Sequence, residues 1–303
     1  MRKVILILLS IINVMEIYSQ GRTTDRQPYA AGRFYSADKE TLTKDVSKLF
    51  SDCKKVRETG TVRAIIVPHA GYVYSGKVAA AAFSATPKDK SYKNIFLIGS
   101  SHVMSFEGAS VYSTGDYITP LGRAVVNRGI AEKLKSDSRL FRFPVDVHDK
   151  DHNLEVQVPL IQHYFTTTPM IVPIVIGTNN TNTIKDIAEA LREWFTDDNL
   201  FVISSDFSHY PSYKDANDID NRTAAGFISG DPETFLSTLK KNSSRNVPGL
   251  VTSMCGWTSG LTLLFLAGGN DNLEFKKIDY CNSGDSPYGA KDEVVGYHAI
   301  ELV

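Results

Sequence analysis

Cysteine is scarce in this chain, which carries only Cys53, Cys255 and Cys281 among its 303 residues. An odd and small number of thiols argues against a disulfide framework, and at least one of the three must be free or bound to a ligand. Lysine and arginine form no run, and 33 basic against 34 acidic residues give a net charge of -1. A chain without a basic patch argues against nucleic acid as the partner.

Long apolar runs are also missing beyond the N-terminus. No stretch of the mature chain reaches the roughly 20 apolar residues that a membrane span needs, so we expect none. The run Val4–Val14 is shorter than a span, follows Arg2 and Lys3, and gives way to more polar residues up to Gln20. That order is typical of a secretory signal peptide. We therefore expect residues 1–20 to be a signal peptide and the mature protein to be exported, periplasmic or secreted.

No Pro/Gly/Ser-rich linker, low-complexity tract or repeat divides the remaining chain, so we expect residues 21–303 to form one domain. Short apolar runs typical of strands buried on both faces alternate with helical stretches. This alternation predicts an α/β fold, a single layered domain with a central, largely parallel sheet flanked by helices. The last two strands, Lys276–Tyr280 and Val295–Val303, are close enough in sequence to be antiparallel neighbours, which would make the sheet mixed.

Three of the apolar runs end in side chains that can carry chemistry. The runs and the residues that follow them are Ala64–Val67 with His69, Asn94–Gly99 with Ser101 and His102, and Leu200–Ser204 with Asp206 and His209. In open α/β sheets ligands bind outside the carboxyl ends of the strands. The repeated pattern therefore predicts one site to which all three loops contribute.

Cys255 supplies a thiol at the predicted start of a helix, where the helix dipole would lower its pKa. With His69 and His102 it would make a three-ligand set for a first-row transition metal. The spacing of these residues is not that of a zinc finger and does not prove a site. A nucleophilic triad of Cys255, His209 and Asp206 is the competing use of the same residues.

Two further stretches carry candidate residues. His152 and Glu155 lie at a predicted helix start, where they would be acid/base groups. Alternatively, Asp151 or Asn153 caps the helix and Glu155 stabilises its positive end. After His69, two glycines bracket Tyr72 and Tyr74 in a predicted loop that precedes a helix over Lys77–Phe83. We expect Tyr72 and Tyr74, with Ser101, to line the pocket.

The order of these motifs resembles the Memo family, also called AmmeMemoRadiSam system protein B. The matching segments run from about Gln27 to the C-terminus and are Ala30–Tyr35, Pro68–Tyr72, Tyr74–Gly76, Gly99–His102, Thr119–Leu121, His152–Glu155 and Ser204–His209. Gln157 and Val103 depart from the family, since some members carry a histidine at these positions.

The resemblance implies a fold similar to class III extradiol dioxygenases, with a metal pocket at one edge of the sheet. It also implies that His69, His102 and Cys255 bind iron or copper. By the same resemblance, Asp206 and His209 line the pocket, and His152 and Glu155 belong to the family's HxxE motif.

Three hypotheses follow for the function. The first is an exported metal-binding protein, with iron or copper and zinc as a further metal, that acts as a redox or dioxygenase-like oxidoreductase on an unknown substrate. The second is a non-catalytic module that binds a small molecule or peptide in the same pocket, with Tyr72, Tyr74 and Trp257 as apolar contacts. The third is a cysteine hydrolase that uses Cys255 and His209. The sequence leaves the substrate and the oligomeric state open.

Overall fold

The computed structural model describes residues 24–56, 61–137, 139–141 and 146–303. The predicted signal peptide, residues 1–20, lies outside these residues. Within the described ranges no helix is both long enough and apolar enough to cross a membrane.

The chain alternates strands and helices. The strands are β1 (Ala64–Val67), β2 (Asn94–Ser100), β3 (Ala109–Val111), β4 (Tyr117–Thr119), β5 (Gly122–Ala124), β6 (Met170–Ile176), β7 (Asn199–Ser204), β8 (Phe275–Asn282) and β9 (Gly296–Leu302). The helices are α1 (Lys39–Asp52), α2 (Tyr72–Ser84), α3 (Arg128–Lys135), α4 (Asp146–Asp149), α5 (Val158–Tyr164), α6 (Thr181–Leu191), α7 (Tyr213–Ile228), α8 (Pro232–Ser244) and α9 (Trp257–Ala267). Short 3₁₀ turns cover Glu155–Gln157, Arg192–Trp194 and Ser283–Asp285.

Seven strands form one sheet in the order β3-β6-β2-β7-β1-β9-β8. The four central strands, β6, β2, β7 and β1, pair in parallel. Strands β3, β9 and β8 add to the two edges in antiparallel orientation. The predicted α/β fold with a central mixed, largely parallel sheet flanked by helices is confirmed.

Both faces of the sheet are covered, which explains the continuous apolar runs. Ile65 and Val67 of β1 belong to the core on the face of α1 and α2, whereas Ala64 and Ile66 belong to the core on the face of α6 and α9. All four side chains are buried. The alternation of a strand thus sends successive apolar side chains to two different cores.

Strand β7 lies between β2 and β1, and this position sets the site. Its last residue, Ser204, pairs with Val67 at the end of β1 and with Gly99 near the end of β2. The three strands therefore end at the same level, and the loops that carry His69, His102 and Asp206 leave the sheet side by side.

Two helices begin elsewhere than predicted. Helix α2 begins at Tyr72 and not at Lys77, because the Tyr72 N–H donates to Phe34 O at 2.9 Å, which satisfies one of the amides that a helix start leaves free. Helix α9 begins at Trp257, so Cys255 lies in the turn before the helix. Gly256 is required in that turn, since an added Cβ would meet Ser205 Oγ at 2.6 Å.

Candidate metal site

Three histidines from separate parts of the chain meet at the carboxyl edge of the sheet. One ring nitrogen from each of His69, His102 and His152 lies within 4.8 Å of the others. The His69 ring centroid is 5.0 Å from that of His102 and 5.5 Å from that of His152. Imidazoles are the ligands that zinc, copper and iron accept, so this group could hold a metal ion.

Cys255 joins the same cluster. Its Sγ lies 3.3 Å from His69 Nε2. Burial raises the pKa of the thiol, but His69, and after it His102 and His209, lower it well below its ordinary value. The thiol is therefore poised as a thiolate, the form that binds metals and attacks electrophiles. The surrounding imidazoles are therefore a cause of the lowered pKa that the sequence did not show.

Asp151 orients His102. One carboxylate oxygen lies 3.1 Å from His102 Nδ1, and the other accepts the His102 backbone N–H at 2.8 Å. Burial lowers the pKa of His102, but the Asp151 hydrogen bond and the Cys255 thiolate raise it to about 10. Burial raises the pKa of Asp151, and His102 brings it down to about 2. A carboxylate on Nδ1 leaves Nε2 for a ligand, an arrangement that is common behind metal-binding histidines.

His152 is the third imidazole of the group. Burial, followed by the charges of His69 and His102, lowers the pKa of His152 to about 3, so the ring is neutral at physiological pH. It stacks on Phe34 with ring centroids 4.1 Å apart. The sequence suggested an acid/base role, but a neutral imidazole in this position is equally a candidate ligand.

Asp206 and His209 reach the site from the loop after β7. Asp206 Oδ1 accepts the backbone N–H of His69 at 2.7 Å, and Oδ2 lies 3.9 Å from His69 Nε2. Burial raises the pKa of Asp206, and His69 opposes that rise. His209 Nε2 is buried without a hydrogen-bond partner among the described residues. His69 Nε2 lies within hydrogen-bond distance of the thiol, and His209 also lowers the pKa of the thiol.

A pocket of about 330 Å³ opens over these side chains. It is lined by Phe34, His69, Ala70, Gly71, His102, His152, Asp206, His209, Tyr210 and Val295. Its volume lies at the small end of ligand pockets, so it suits a small molecule or one side chain of a peptide.

The structure does not place Tyr72, Tyr74 or Ser101 among the lining residues. Because α2 begins early, Tyr72 lies on a helix and its hydroxyl donates to Val156 O at 2.7 Å. Ser101 Oγ accepts the Met104 N–H at 3.3 Å. The aromatic side chains at the pocket are Phe34 and Tyr210, which sequence reasoning missed.

Trp257 lines a different cavity of about 540 Å³, beside α8 and the segment that precedes Cys255. No histidine, cysteine or carboxylate is among the residues that line it. The larger cavity therefore lacks the groups needed for the chemistry described above. Trp257 lines this cavity and is not among the residues that line the histidine pocket.

Glu155 lies behind the site and not in it. Both its carboxylate and the guanidinium of Arg26 are buried, at 0% and 1% exposure. The carboxylate accepts hydrogen bonds from Arg26 Nη1 at 2.6 Å, Tyr29 N at 2.8 Å, Ala30 N at 2.8 Å and Tyr35 Oη at 2.5 Å. These donors fix the segment that brings Phe34 onto His152. Glu155 therefore supports the structure around the site.

Sequence comparison agrees with the motif order. The profile of the family described as Memo-like protein matches residues 26–301. MEMO1 family protein Ta0237 of Thermoplasma acidophilum is 31% identical over 281 residues, which cover 92% of this chain and 98% of that protein. A MEMO1 family protein of Methanobrevibacter smithii is 30% identical over 286 residues, 90% of this chain and 97% of that protein. Among solved structures, the uncharacterized protein JW3007 from Escherichia coli K12 aligns with a TM-score of 0.47 and 12% identity, over 78% of this chain and 98% of that chain.

Proposed function

The chain belongs to the Memo-like protein family, and we propose that it binds a redox-active transition metal, iron or copper, and acts as an oxidoreductase on a small substrate. One observation carries the proposal: ring nitrogens of three histidines lie within 4.8 Å of one another, and a thiol lies 3.3 Å from one of them. Few structural roles require four such groups in one cluster, whereas metal binding does.

The proposed ligands are His69, His102 and Cys255, with His152 as the alternative third ligand. The residues present fit a metal ion. The Nδ1 atoms of His69 and His102 are each within hydrogen-bond distance of a protein oxygen, so Nε2 is the nitrogen left for the ion. A mixed nitrogen and sulfur set suits copper, iron or zinc. A bound iron or copper ion would supply one-electron redox chemistry, whereas zinc would supply only Lewis acidity.

The remaining pocket residues have roles that do not depend on which metal binds. His209 Nε2, buried and without a hydrogen-bond partner among the described residues, can hold a polar group of the substrate. Asp206 and His209 can exchange a proton with it, because both line the pocket. Phe34 and Tyr210 form the apolar part of the wall and would exclude water from one face of a bound ring or side chain.

A second candidate function is favoured by the thiol itself. A thiolate beside an imidazole is also the arrangement of a cysteine nucleophile, and His69 is the histidine at hydrogen-bond distance. A non-catalytic module that binds a small molecule or peptide would use the same pocket without turnover.

The test starts from protein purified without a histidine tag. Metal content is measured by mass spectrometry for the wild type, for His69→Ala with His102→Ala, and for His163→Ala, a half-buried histidine that is not among the lining residues. We expect iron or copper in the wild type and in His163→Ala, and loss of the metal in the double variant. Oxygen uptake with phenols and reductants then tests turnover.

The alternatives give different results. Stoichiometric metal without turnover would favour the binding module. Hydrolysis of acyl esters that iodoacetamide abolishes, by protein free of metal, would favour the hydrolase. A wild type that takes up no iron, copper or zinc under saturating conditions would contradict the proposed function.

A further inference from the structure

His69 Nδ1 contacts a buried serine, Ser204, which in turn contacts a buried glutamine, Gln157, and the proposed chemistry has no role for either. Ser204 is the last residue of β7, and Gln157 ends the 3₁₀ turn before α5. Both are 0% exposed. Ser204 Oγ lies 3.1 Å from His69 Nδ1 and 2.9 Å from Gln157 Nε2. The three side chains form a continuous hydrogen-bonded row.

Two backbone carbonyls, which can only accept, determine the direction of each hydrogen bond in this row. Gln157 Nε2 lies 2.9 Å from Pro68 O, and a carbonyl can only accept. The amide nitrogen and not the amide oxygen must therefore face this carbonyl, which fixes the orientation of the Gln157 side chain. The second amide proton then points to Ser204 Oγ, so Gln157 donates to Ser204.

The hydroxyl of Ser204 has a single proton, which it donates in a hydrogen bond to a second carbonyl. Its Oγ lies 2.6 Å from Asn153 O, which can only accept. With that proton committed and one lone pair receiving Gln157, Ser204 can offer His69 only its remaining lone pair. His69 Nδ1 must therefore carry a proton and donate it, and in the neutral ring Nε2 is left without one.

We propose that Ser204, held by Gln157, is a positioning residue that fixes the tautomer of His69 and thereby presents Nε2 to the metal site. His69 Nε2 is the nitrogen that lies 3.3 Å from Cys255 Sγ. Without the row, the tautomer that carries its proton on Nε2 would compete, and that tautomer cannot bind a metal through the nitrogen facing the site. The effect on metal affinity rests on the proposed function, whereas the tautomer itself does not.

The two proposed histidine ligands differ in the group that faces Nδ1. His102 Nδ1 faces the Asp151 carboxylate at 3.1 Å, and His69 Nδ1 faces a neutral hydroxyl at the same distance. A carboxylate makes a ring nitrogen more basic than a hydroxyl does. The row on His69 therefore selects a tautomer without adding a negative charge behind the ligand.

The test reads the tautomer directly. Long-range ¹H–¹⁵N correlation spectra of the Zn²⁺-loaded protein distinguish a protonated from a metal-bound ring nitrogen. Spectra of metal-free Cys255→Ala above the imidazole titration identify the neutral tautomer in a site where no thiolate faces Nε2. We expect His69 to carry its proton on Nδ1 in both states. Adding Ser204→Ala to Cys255→Ala should let the Nε2–H tautomer appear in the metal-free protein. Ser204→Ala alone should lower Zn²⁺ affinity by roughly 10- to 100-fold, the range found for groups behind metal ligands.

Two variants separate this role from general damage to the core. Ser204→Thr keeps the hydroxyl and should restore the wild-type tautomer and affinity. Ser110→Ala is the matched control, because Ser110 is an equally buried serine whose Oγ lies 3.1 Å from Nε2 of another buried histidine, His148. Ser110→Ala should leave the His69 tautomer and the Zn²⁺ affinity unchanged. If Ser204→Ala does not fold, Ser204→Val carries the test, since valine matches threonine in shape, lacks the hydroxyl and should admit the Nε2–H tautomer.

The outcomes separate this proposal from the proposed function. A neutral His69 ring protonated on Nε2 in metal-free Cys255→Ala, or an unchanged tautomer after Ser204→Ala or Ser204→Val is added to it, would overturn the role of the row. A wild type that binds no metal, together with the Nδ1–H tautomer in Cys255→Ala, would contradict the proposed function and leave the positioning of His69 standing.

Discussion

The Cys255 thiol and the His69 imidazole are 186 residues apart in the chain, yet Sγ and Nε2 lie 3.3 Å from each other. His102 and His209 also act on this thiol, and all three imidazoles lower its pKa. A sulfur held as a thiolate among imidazoles is a stronger ligand for copper, zinc or iron than a neutral ring. We therefore expect Cys255, and not His152, to complete the set with His69 and His102.

The choice of third ligand can be measured. Cys255→Ser should weaken Cu⁺ and Zn²⁺ binding by more than about 100-fold, beyond the range for groups that only support ligands, whereas His152→Gln should weaken it by less than about 10-fold. Competition with a chromophoric chelator gives both affinities. Cys281→Ser, which alters a partly buried thiol outside the pocket, is the control. A larger loss in His152→Gln than in Cys255→Ser would replace the proposed set with three histidines.

The strand ends that form the site were predictable from the sequence, because a strand buried on both faces is a continuous apolar run and the residues after it can be read directly. Each apolar run is followed within a few residues by the side chain that reaches the site, as with Val67 and His69. Once β1, β2 and β7 are adjacent and parallel, their loops must meet at one edge.

The remaining parts of the site depend on long-range packing that no local pattern contains. Phe34 reaches His152 only because Glu155 anchors the segment before it. The role of Asp151 behind His102 requires contact between two residues that are 49 positions apart in the chain. The tight turn at Gly256 that brings Cys255 to the histidines depends on the close approach of Ser205, which the sequence alone does not show.

Glu155 should matter for stability and not for metal binding. Glu155→Gln removes the charge opposite the buried Arg26, which should lower the free energy of unfolding by roughly 3–5 kcal/mol. Urea denaturation measures this loss, and Zn²⁺ affinity of the folded variant should stay near that of the wild type. Glu132→Gln, at an exposed ion pair with Lys135, should cost less than about 1 kcal/mol. Normal stability with lost activity would instead assign Glu155 to the chemistry.

Export remains a prediction from the residues before Gly21. Cells that produce the full chain should contain a shortened protein outside the cytoplasm, because a basic start followed by a short apolar run is a secretory signal. Fractionation with N-terminal sequencing of the product measures this. Replacing Leu8 and Leu9 by Asp should keep the full-length protein inside, and a full-length wild-type protein in the cytoplasm would contradict the prediction.

His148 should make stability depend on pH. Its ring is buried, with Nδ1 3.1 Å from Tyr117 Oη and Nε2 3.1 Å from Ser110 Oγ. Burial, followed by the charge of Arg26, lowers the pKa of His148 to about 3, against 6.5 for an ordinary histidine. Between these values the unfolded chain binds a proton that the folded chain does not. Stability from the neutral ring is thus complete above pH 6.5 and is lost as the pH falls toward 3.

Comparison with His148→Gln isolates this contribution, because glutamine can make similar hydrogen bonds and does not titrate. The wild type should be the more stable protein near neutral pH, and its advantage should shrink by roughly 2–3 kcal/mol on acidification to about pH 4.5, some two units below the unfolded pKa. Urea denaturation across this range measures both proteins. His163→Gln, at a partly exposed histidine, should show a much smaller change with pH. Parallel stability curves for the wild type and His148→Gln would mean that the folded protein accepts a proton on His148 without loss, and that its pKa is not lowered by burial.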